Sequence, residues 1–203
     1  MNQFPHGDDH PQRGSGTVDR AGSNGQPSAG TAKEIWEWVK SIAVSLVIVL
    51  LLNVFVFNLS TVKGQSMEPT LKEKEWLFVN KLVYLMGSPA RGDVVILKDP
   101  EQNTSRREFL VKRVVAVPGD RVEIRGGKLY VNGAEVQEPY TDNRIEDGDR
   151  GPFTVEEDRY YVLGDNRHKS ASKDSRMFGS VSSGMIKGRA DFILWPFDQL
   201  GTL

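Results

Sequence analysis

The chain begins with a polar stretch and then changes to a long apolar run. Residues 1–35 are rich in Gly, Ser, Pro, Asn, Gln and Asp, and such a segment buries too little apolar surface to offset the entropy of ordering. From Ser41 to Leu59 there is no charged side chain. As a helix this run is roughly 28 Å long, close to the thickness of about 30 Å of a bilayer core. The pattern predicts a disordered tail over residues 1–35 and a transmembrane anchor over residues 36–59.

Two alternatives to an anchor are weaker. The run is long for a buried core helix, and it starts late for a cleaved signal peptide, with no small-residue cleavage site after it. Trp36 and Trp38 stand just before it, where aromatic side chains anchor at a membrane interface. Lysines and arginines near the two ends are similar in number, so the positive-inside rule does not give the orientation. The lipid bilayer is the first predicted partner.

After residue 60 apolar and polar positions alternate, which is the period of β-strands, and turn sequences rich in Gly, Asn and Asp separate the alternating segments. Gly126-Gly127 and Asn132-Gly133 bracket one short strand, which indicates a small β-meander inserted between larger strands. The predicted fold class is mainly β, with a single N-terminal transmembrane helix followed by an antiparallel β-rich domain over residues 60–203. The predicted strands are 76–79, 93–97, 109–117, 121–124, 128–131, 160–163 and 191–195.

Composition narrows the function classes. The 26 lysines and arginines nearly balance the 27 aspartates and glutamates, so no basic field predicts nucleic acid as a partner. The chain has no cysteine, which excludes disulfides, thiol nucleophiles and thiolate metal ligands. His6 and His10 lie in the polar tail, where flexible ligands are not held in coordination geometry. We therefore expect no metal and no cofactor.

Two residues suggest nucleophilic chemistry. Ser66 lies between Gly64, which permits a sharp turn, and Pro69, but a serine beside a glycine is also an ordinary turn residue. Lys112 lies on a predicted strand with apolar residues on both faces, and burial lowers the pKa of a lysine. A neutral lysine can accept the proton of a serine. Alternatively, Lys112 extends its ammonium group to solvent at a strand end and Arg113 pairs with an acid.

Several sequence blocks give the chain a strong resemblance to the bacterial type I signal peptidases, in their Gram-positive-like branch. The resemblance implies a membrane-anchored serine endopeptidase that cleaves signal peptides from exported preproteins after an Ala-X-Ala-like site. It also implies a cytoplasmic N-terminus and a catalytic domain on the outer side of the cytoplasmic membrane. The blocks that carry the resemblance are Ser66-Met67-Glu68-Pro69-Thr70-Leu71, Arg91-Gly92-Asp93-Val94-Val95, Lys112 to Asp120, Gly164-Asp165-Asn166-Arg167 and Asp174-Ser175-Arg176.

By this resemblance Ser66 is the nucleophile and Lys112 its general base, and the backbone N–H of Ser66 contributes to the oxyanion hole. Some relatives supply a second donor from a serine two positions before the nucleophile, but this chain has Gly64 there. The resemblance also implies supporting roles for Arg113, Asp165, Asp174 and Arg176.

The serine that orients the lysine amine has two candidates, because the loop before Asp174 is two residues longer than the family pattern. Ser170 fits the count from Gly-Asp-Asn-Arg, and Ser172 fits the count back from Asp-Ser-Arg. Ser172 is preferred, since it keeps the register of the second block. His168 is the only histidine outside the tail, and Lys112 is the better-supported base.

The cleavage region of an exported protein is extended, so we expect recognition by strand addition beside Val62–Ser66 and Phe109–Lys112. An alternative from another class is a membrane-anchored β-domain that binds exported peptides without cutting them, and a dyad protein that cleaves its own chain is a second. Four residues are candidates for lining substrate pockets, although core packing explains them equally well: Val62, Met67, Leu71 and Val111.

Overall fold

The computed structural model describes residues 29–101 and 109–203. Most of the predicted tail, with His6 and His10, lies outside the described residues. The first helix, α1, spans Ala29–Phe55, so it begins before the predicted anchor and ends before Leu59. Its early start has a local reason, because Ala, Lys and Glu at residues 32–34 are strong helix formers. Its early end has a tertiary one, because Phe57 to Leu59 pair with another strand instead of continuing the helix.

Helix α1 is long and apolar enough to cross a membrane. The candidate span runs from Thr31 to Phe55, with a mean hydropathy of 2.2 in its most apolar window and none of that window buried. At its C-terminal end the Lys81 ammonium group donates to the carbonyl oxygens of Asn53 and Val54, both at 3.0 Å. These contacts satisfy carbonyl groups that have no partner within the last turn of a helix.

The remaining elements form two antiparallel β-sheets. The larger sheet has the strand order β1-β2-β11-β3-β4-β9-β10, with β12 paired to β11, and the smaller sheet has the order β7-β6-β5-β8. The elements are β1 (Phe57–Thr61), β2 (Trp76–Asn80), α2 (Val83–Met86), β3 (Val94–Lys98), β4 (Phe109–Ala116), β5 (Arg121–Arg125), β6 (Lys128–Val131), β7 (Ala134–Glu135), β8 (Arg150–Thr154), β9 (Arg159–Leu163), α3 (Ser175–Phe178), β10 (Val181–Ser182), β11 (Ile186–Trp195) and β12 (Gly201–Thr202).

The mainly β fold class is confirmed, and each predicted strand corresponds to an observed strand or part of one. The smaller sheet is the predicted meander. Five further strands were not predicted, and three of them, β7, β10 and β12, are only two residues long. Strand β1 was assigned to the anchor because its residues continue the uncharged run, and β8 lacks alternation and contains Pro152. Both are strands because of their partners, β2 for the first and β5 for the second.

One hydrophobic cluster lies beneath the segment that carries Ser66. Met67 and Leu71 are buried in it, on either side of the turn that follows the serine. Burial of such a side chain contributes about 1.5–3 kcal/mol, so the cluster holds this segment firmly against the larger sheet. Its other buried members are Val62, Leu77, Val79, Val94, Ile96, Ala190 and Ile193.

Candidate active site

Ser66 lies in a tight turn between strands β1 and β2. Gly64, two residues earlier, has φ of +76°, a conformation that favours glycine because it has no β-carbon. The Glu68 N–H donates to the Gln65 carbonyl at 3.2 Å and closes the turn. Ser66 itself is half-buried, while Met67 beside it is buried. The turn therefore presents the serine hydroxyl at the surface on a fixed backbone.

Lys112 projects from strand β4 toward this hydroxyl. Its ammonium nitrogen lies 2.6 Å from Ser66 Oγ and 2.7 Å from the carbonyl oxygen of Val111. The side chain is only 2% exposed. The structure thus brings together two residues that lie 46 positions apart in the sequence, and it places them within hydrogen-bond distance.

The surroundings of Lys112 favour its neutral form. Burial lowers the lysine pKa to about 8, against opposing effects of the Asp174 and Asp165 carboxylates, which raise it. The Arg176 guanidinium adds to the lowering. Near pH 8, about half of the molecules therefore carry an uncharged amine at this position. Such an amine, in contact with a serine hydroxyl, can act as a general base for nucleophilic attack.

Ser172, but not Ser170, lies beside this pair. Ser172 is buried, and its Oγ has no hydrogen-bond partner among residues 29–101 and 109–203. The hydroxyl is near enough to the Asp174 carboxylate to help lower its pKa, yet it does not form a hydrogen bond of ordinary length. Ser170 is exposed, and its backbone N–H donates to Asp147 at 3.1 Å.

The loop 164–176, which we call the catalytic loop, donates hydrogen bonds to backbone carbonyl groups of the Ser66 turn. The Asn166 N–H donates to the Ser66 carbonyl at 3.1 Å, and the Asn166 side-chain amide donates to the Gln65 carbonyl at the same distance. Gly164 packs so closely here that a β-carbon would overlap the Ser66 carbonyl and the Ser172 hydroxyl. These contacts fix the position of the turn relative to Lys112.

Arg113 and Asp165 form a buried ion pair behind the turn. The guanidinium donates to both carboxylate oxygens, with its shortest distance 2.7 Å, and it also donates to the Gly92 carbonyl at 2.8 Å. Thr70, which follows the Ser66 turn, donates its hydroxyl to Asp165 at 2.6 Å. The pair therefore joins strand β4, the catalytic loop and the segment after Ser66.

Asp174 and Arg176 form a second buried pair at the end of the catalytic loop. Arg176 donates to the two carboxylate oxygens at 2.9 and 2.7 Å, and the Gly164 N–H donates to the same carboxylate at 3.0 Å. Burial acts to raise the pKa of Asp174, but the hydrogen bonds and charge of Arg176 outweigh it, and the pKa lies below its ordinary value. A charged Asp174 near Lys112 is the result.

A cleft of about 550 Å³ opens beside Ser66 and Lys112, between the end of β1 and the start of β4. The predicted pocket residues Val62, Met67 and Val111 line it, whereas Leu71 lies in the core beneath. Residues 109–112 of β4 pair with β3 on one side, and pairing with β9 on the other side starts only at Arg113. Among the described residues, this leaves a stretch of unpaired strand edge along the cleft.

Other candidates from the sequence do not enter the site. His168 is exposed, and its Nδ1 lies 3.1 Å from a Glu146 carboxylate oxygen. Over residues 29–101 and 109–203, no cluster of His, Asp and Glu side chains is arranged to hold a metal ion. Sequence reasoning did not single out Asn166 or Thr70, although both lie inside the motif blocks, and it gave no signal for the contacts that residues 138–147 make with the catalytic loop.

The chain is similar to several known proteins. Residues 35–195 match the family described as signal peptidase, peptidase S26. The chain is 38% identical over 185 residues to a signal peptidase I of Bacillus licheniformis, covering 86% of this chain and 96% of that protein. It is 39% identical to signal peptidase IB of Staphylococcus aureus, covering 82% and 93%. A crystal structure of a signal peptidase I from Enterococcus faecalis covers 51% of this chain and 97% of that chain, with a TM-score of 0.42 and 31% identity.

Proposed function

The chain belongs to the signal peptidase family of S26 serine peptidases, and from that premise we propose that Ser66 and Lys112 form its catalytic dyad. The observation that carries the proposal is the 2.6 Å distance between Lys112 Nζ and Ser66 Oγ, on a lysine whose pKa is lowered to about 8 by burial. A nucleophile and a base within hydrogen-bond reach of each other are the minimum arrangement for acyl transfer.

The reaction proceeds in two stages. Lys112 accepts the Ser66 proton as Oγ attacks the carbonyl carbon of the scissile peptide bond, and the Ser66 N–H donates to the oxyanion that forms. Lys112 then transfers the proton to the leaving amine, which leaves an ester between Ser66 and the signal peptide. In the second stage Lys112 takes a proton from a water molecule, the water attacks the ester, and the proton returns to Ser66 as the signal peptide leaves.

The substrate lies in the cleft as an added strand. The unpaired edge of residues 109–112 offers backbone donors and acceptors to an extended peptide, and the segment Val62–Ser66 lies on the other side of the same cleft. Val62, Met67 and Val111 leave shallow space, suited to the small side chains of an Ala-X-Ala-like site. The substrates are the signal peptides of exported preproteins.

Helix α1 is the membrane anchor. Its candidate span of 25 residues, from Thr31 to Phe55, is long enough to cross the hydrocarbon core. The N-terminus lies in the cytoplasm and the β-domain lies on the outer side of the cytoplasmic membrane, where preproteins emerge. Accessibility of residues engineered at each end of α1 to a membrane-impermeant reagent, in intact cells, tests this orientation.

Cleavage of a synthetic signal-sequence peptide in detergent tests the dyad directly. Wild-type protein is expected to release two products at the predicted site, and Ser66→Ala is expected to release none above background. A protein that binds the peptide but does not cut it, in the wild-type form, is the outcome expected for the alternative of a peptide-binding domain.

A further inference from the structure

The segment 136–149, which we call the bridging segment, connects strand β7 of the smaller sheet to strand β8. It contains no helix or strand, and it contacts the catalytic loop near both of its ends. At the first contact the Glu138 carboxylate accepts two hydrogen bonds from the Arg167 guanidinium, at 2.8 and 2.5 Å. The Arg167 side chain is only 1% exposed.

At the second contact Asp147 accepts from two groups of the catalytic loop. Arg176 Nη1 donates to Asp147 Oδ2 at 2.6 Å, and the Ser170 N–H donates to Oδ1 at 3.1 Å. The neighbouring Glu146 accepts from the Lys169 N–H at 2.9 Å. The bridging segment thus binds the exposed part of the catalytic loop through backbone N–H groups of the loop, and it binds the buried part through Arg176.

Each of the buried guanidiniums behind the active site has a carboxylate partner only when the bridging segment is included. Three guanidiniums are buried there, and the catalytic loop supplies Asp165 to Arg113 and Asp174 to Arg176. Arg167 has no carboxylate on the loop within the described structure, and its other hydrogen bond goes to the Gly164 carbonyl. Glu138 is therefore the ion-pair partner of Arg167, because a buried cation without one would be strongly unfavourable.

A further contact extends the connection to strand β4. The Tyr140 ring lies 4.1 Å from the Arg113 guanidinium carbon, face to cation, and its hydroxyl donates to Glu138 at 3.0 Å. Arg113 immediately follows Lys112 on the strand. The bridging segment accordingly contacts the strand that carries Lys112 as well as the catalytic loop, which donates to the Ser66 carbonyl.

We propose that Glu138 and Asp147 are positioning residues for peptide cleavage. They hold Arg167 and Arg176, and through them the catalytic loop that carries Ser172 and donates to the Ser66 carbonyl. Neither carboxylate touches the reacting atoms. The inference rests on the proposed function of Ser66 and Lys112, and it assigns to the inserted smaller sheet a part in the chemistry of the larger one.

Two isosteric variants test the proposal in the full-length protein in detergent. Glu138→Gln and Asp147→Asn keep the side-chain shape and remove the charge. Each is expected to lower kcat about 10- to 100-fold, the scale of a small misplacement of catalytic groups, while KM changes less than about twofold. KM is spared because neither residue lines the cleft. Glu138→Asp, which restores the charge, is expected to recover part of the lost kcat.

Matched controls come from the same part of the chain. Glu135→Gln removes the charge of a residue paired with Lys128 at 2.8 Å on the surface of the smaller sheet, and Asp149→Asn alters a residue whose carboxylate accepts from the Gly126 N–H at 2.8 Å. Both controls are expected to keep wild-type kcat. The thermal unfolding midpoint of every variant shows whether the folded state is retained at the assay temperature.

Wild-type kcat in both test variants overturns the proposal, and so does an equal loss of kcat in the controls or a change confined to KM. If Glu138→Gln does not fold, Asp147→Asn and Tyr140→Phe, which removes only the hydroxyl that contacts Glu138, carry the test with the same expected fall in kcat. Ser66→Ala in the same assay distinguishes failure of the proposed dyad from failure of the proposed positioning role. Activity in Ser66→Ala contradicts the dyad. Inactivity of Ser66→Ala beside fully active test variants contradicts only the positioning role.

Discussion

The α-carbon of Gly164 packs directly against the carbonyl group of Ser66, with space for a hydrogen atom but not for a methyl group. Gly164→Ala is therefore expected to displace the Ser66 turn or the neighbouring Ser172 and to lower kcat by about 100-fold, because small misplacements of a nucleophile have large effects on rate. Peptide-cleavage kinetics measure this effect, and thermal unfolding is expected to show a lower midpoint.

Gly184→Ala is the matched control for this change. A β-carbon at Gly184 would meet no atom within 4 Å, and its backbone conformation is one that alanine also adopts. It is expected to leave both kcat and the unfolding midpoint unchanged. Normal turnover in Gly164→Ala would contradict the close packing of the catalytic loop against the Ser66 turn.

Removal of either dyad residue is expected to abolish cleavage and leave the fold intact. Ser66→Ala lacks the nucleophile, and Lys112→Ala lacks the base. Lys112→Arg is expected to fail as well, because an arginine stays protonated at any assay pH and cannot accept the serine proton. Cleavage of a signal-sequence peptide, with circular dichroism to verify the fold, is the measurement. Persistent activity in a purified Ser66 or Lys112 variant would contradict the assignment of the dyad.

The rate of cleavage is expected to rise with pH up to the pKa of Lys112. A protonated Lys112 cannot act as a base, so kcat/KM should climb about tenfold per pH unit below the lysine pKa of about 8 and level off above it. Initial rates between pH 6 and pH 10 test this expectation. A rising limb centred near the ordinary histidine pKa of about 6.5 would point to another base.

One substitution tests whether the rising limb of the pH–rate profile reports the pKa of Lys112. Four charged groups act on the amine: the Asp174, Asp165 and Asp99 carboxylates raise its pKa, and Arg176 lowers it. Of these four groups Asp99 has the smallest effect on the pKa, and its carboxylate pairs with Lys173 at 2.8 Å. Asp99→Asn is therefore expected to move the rising limb to lower pH without loss of the maximal rate. A limb that moves to higher pH would contradict the assignment.

Ser172→Ala is expected to reduce kcat by roughly 10- to 1000-fold, the scale of lost positioning or acid–base assistance, with a smaller effect on KM. The physical reason is that Ser172 is buried beside the Ser66 turn, and its hydroxyl, which has no hydrogen-bond partner among the described residues, can hold the Lys112 amine once substrate is bound. Ser170→Ala, on the exposed part of the same loop, is the matched control and should stay near wild type. The reverse pattern would reassign the orienting role to Ser170.

Lys112 is also expected to destabilise the fold that carries it. Its pKa falls from 10.5 to about 8 on folding, so below pH 8 the protein bears the full cost of a buried charge, on the order of 3 kcal/mol. The cost declines between pH 8 and 10.5, where the folded state has already lost the proton. Lys112→Met should raise the free energy of unfolding by about 1–3 kcal/mol at pH 7, and the gain should shrink toward pH 10.

Denaturant unfolding at the two pH values measures this gain. Lys128→Met, on the half-exposed surface of the smaller sheet, is the control, and its effect should be small at both pH values. A destabilised Lys112→Met protein at pH 7 would show that the contacts of the amine with Ser66 and Val111 outweigh the cost of burying it.

Much of the fold was open to prediction because its strands alternate in polarity. The segments on β5 and β6 have this pattern and fall where it places them. Strand β1 could not be found in this way, because Phe57 to Leu59 continue the apolar run of the helix and become a strand only through pairing with β2. Likewise, β8 contains Gly151 and Pro152, and only its pairing with β5 makes it a strand.

In the candidate site, too, some residues could be predicted from the sequence and others could not. Ser66 and Lys112 stand in recognisable sequence blocks, and so do the two buried ion pairs. Counting residues could not decide between Ser170 and Ser172, because a longer loop can place its extra residues at either end. The geometry favours Ser172, which stays a prediction. The partners Glu138 and Asp147 have no local signature, since ion pairing across separate segments depends on the tertiary fold alone.

In the binding mode that we propose, the short edge of β4 that has no strand partner among the described residues also limits how many residues of a preprotein the enzyme can recognise. Hydrogen bonds from a strand edge address the peptide backbone, which is the same in every protein, and an extended peptide turns successive side chains to opposite sides. Only alternate residues of the bound stretch then meet the cleft, and those between them face water. Recognition of every second side chain in this proposed mode would allow one enzyme to cleave preproteins whose sequences otherwise have little in common.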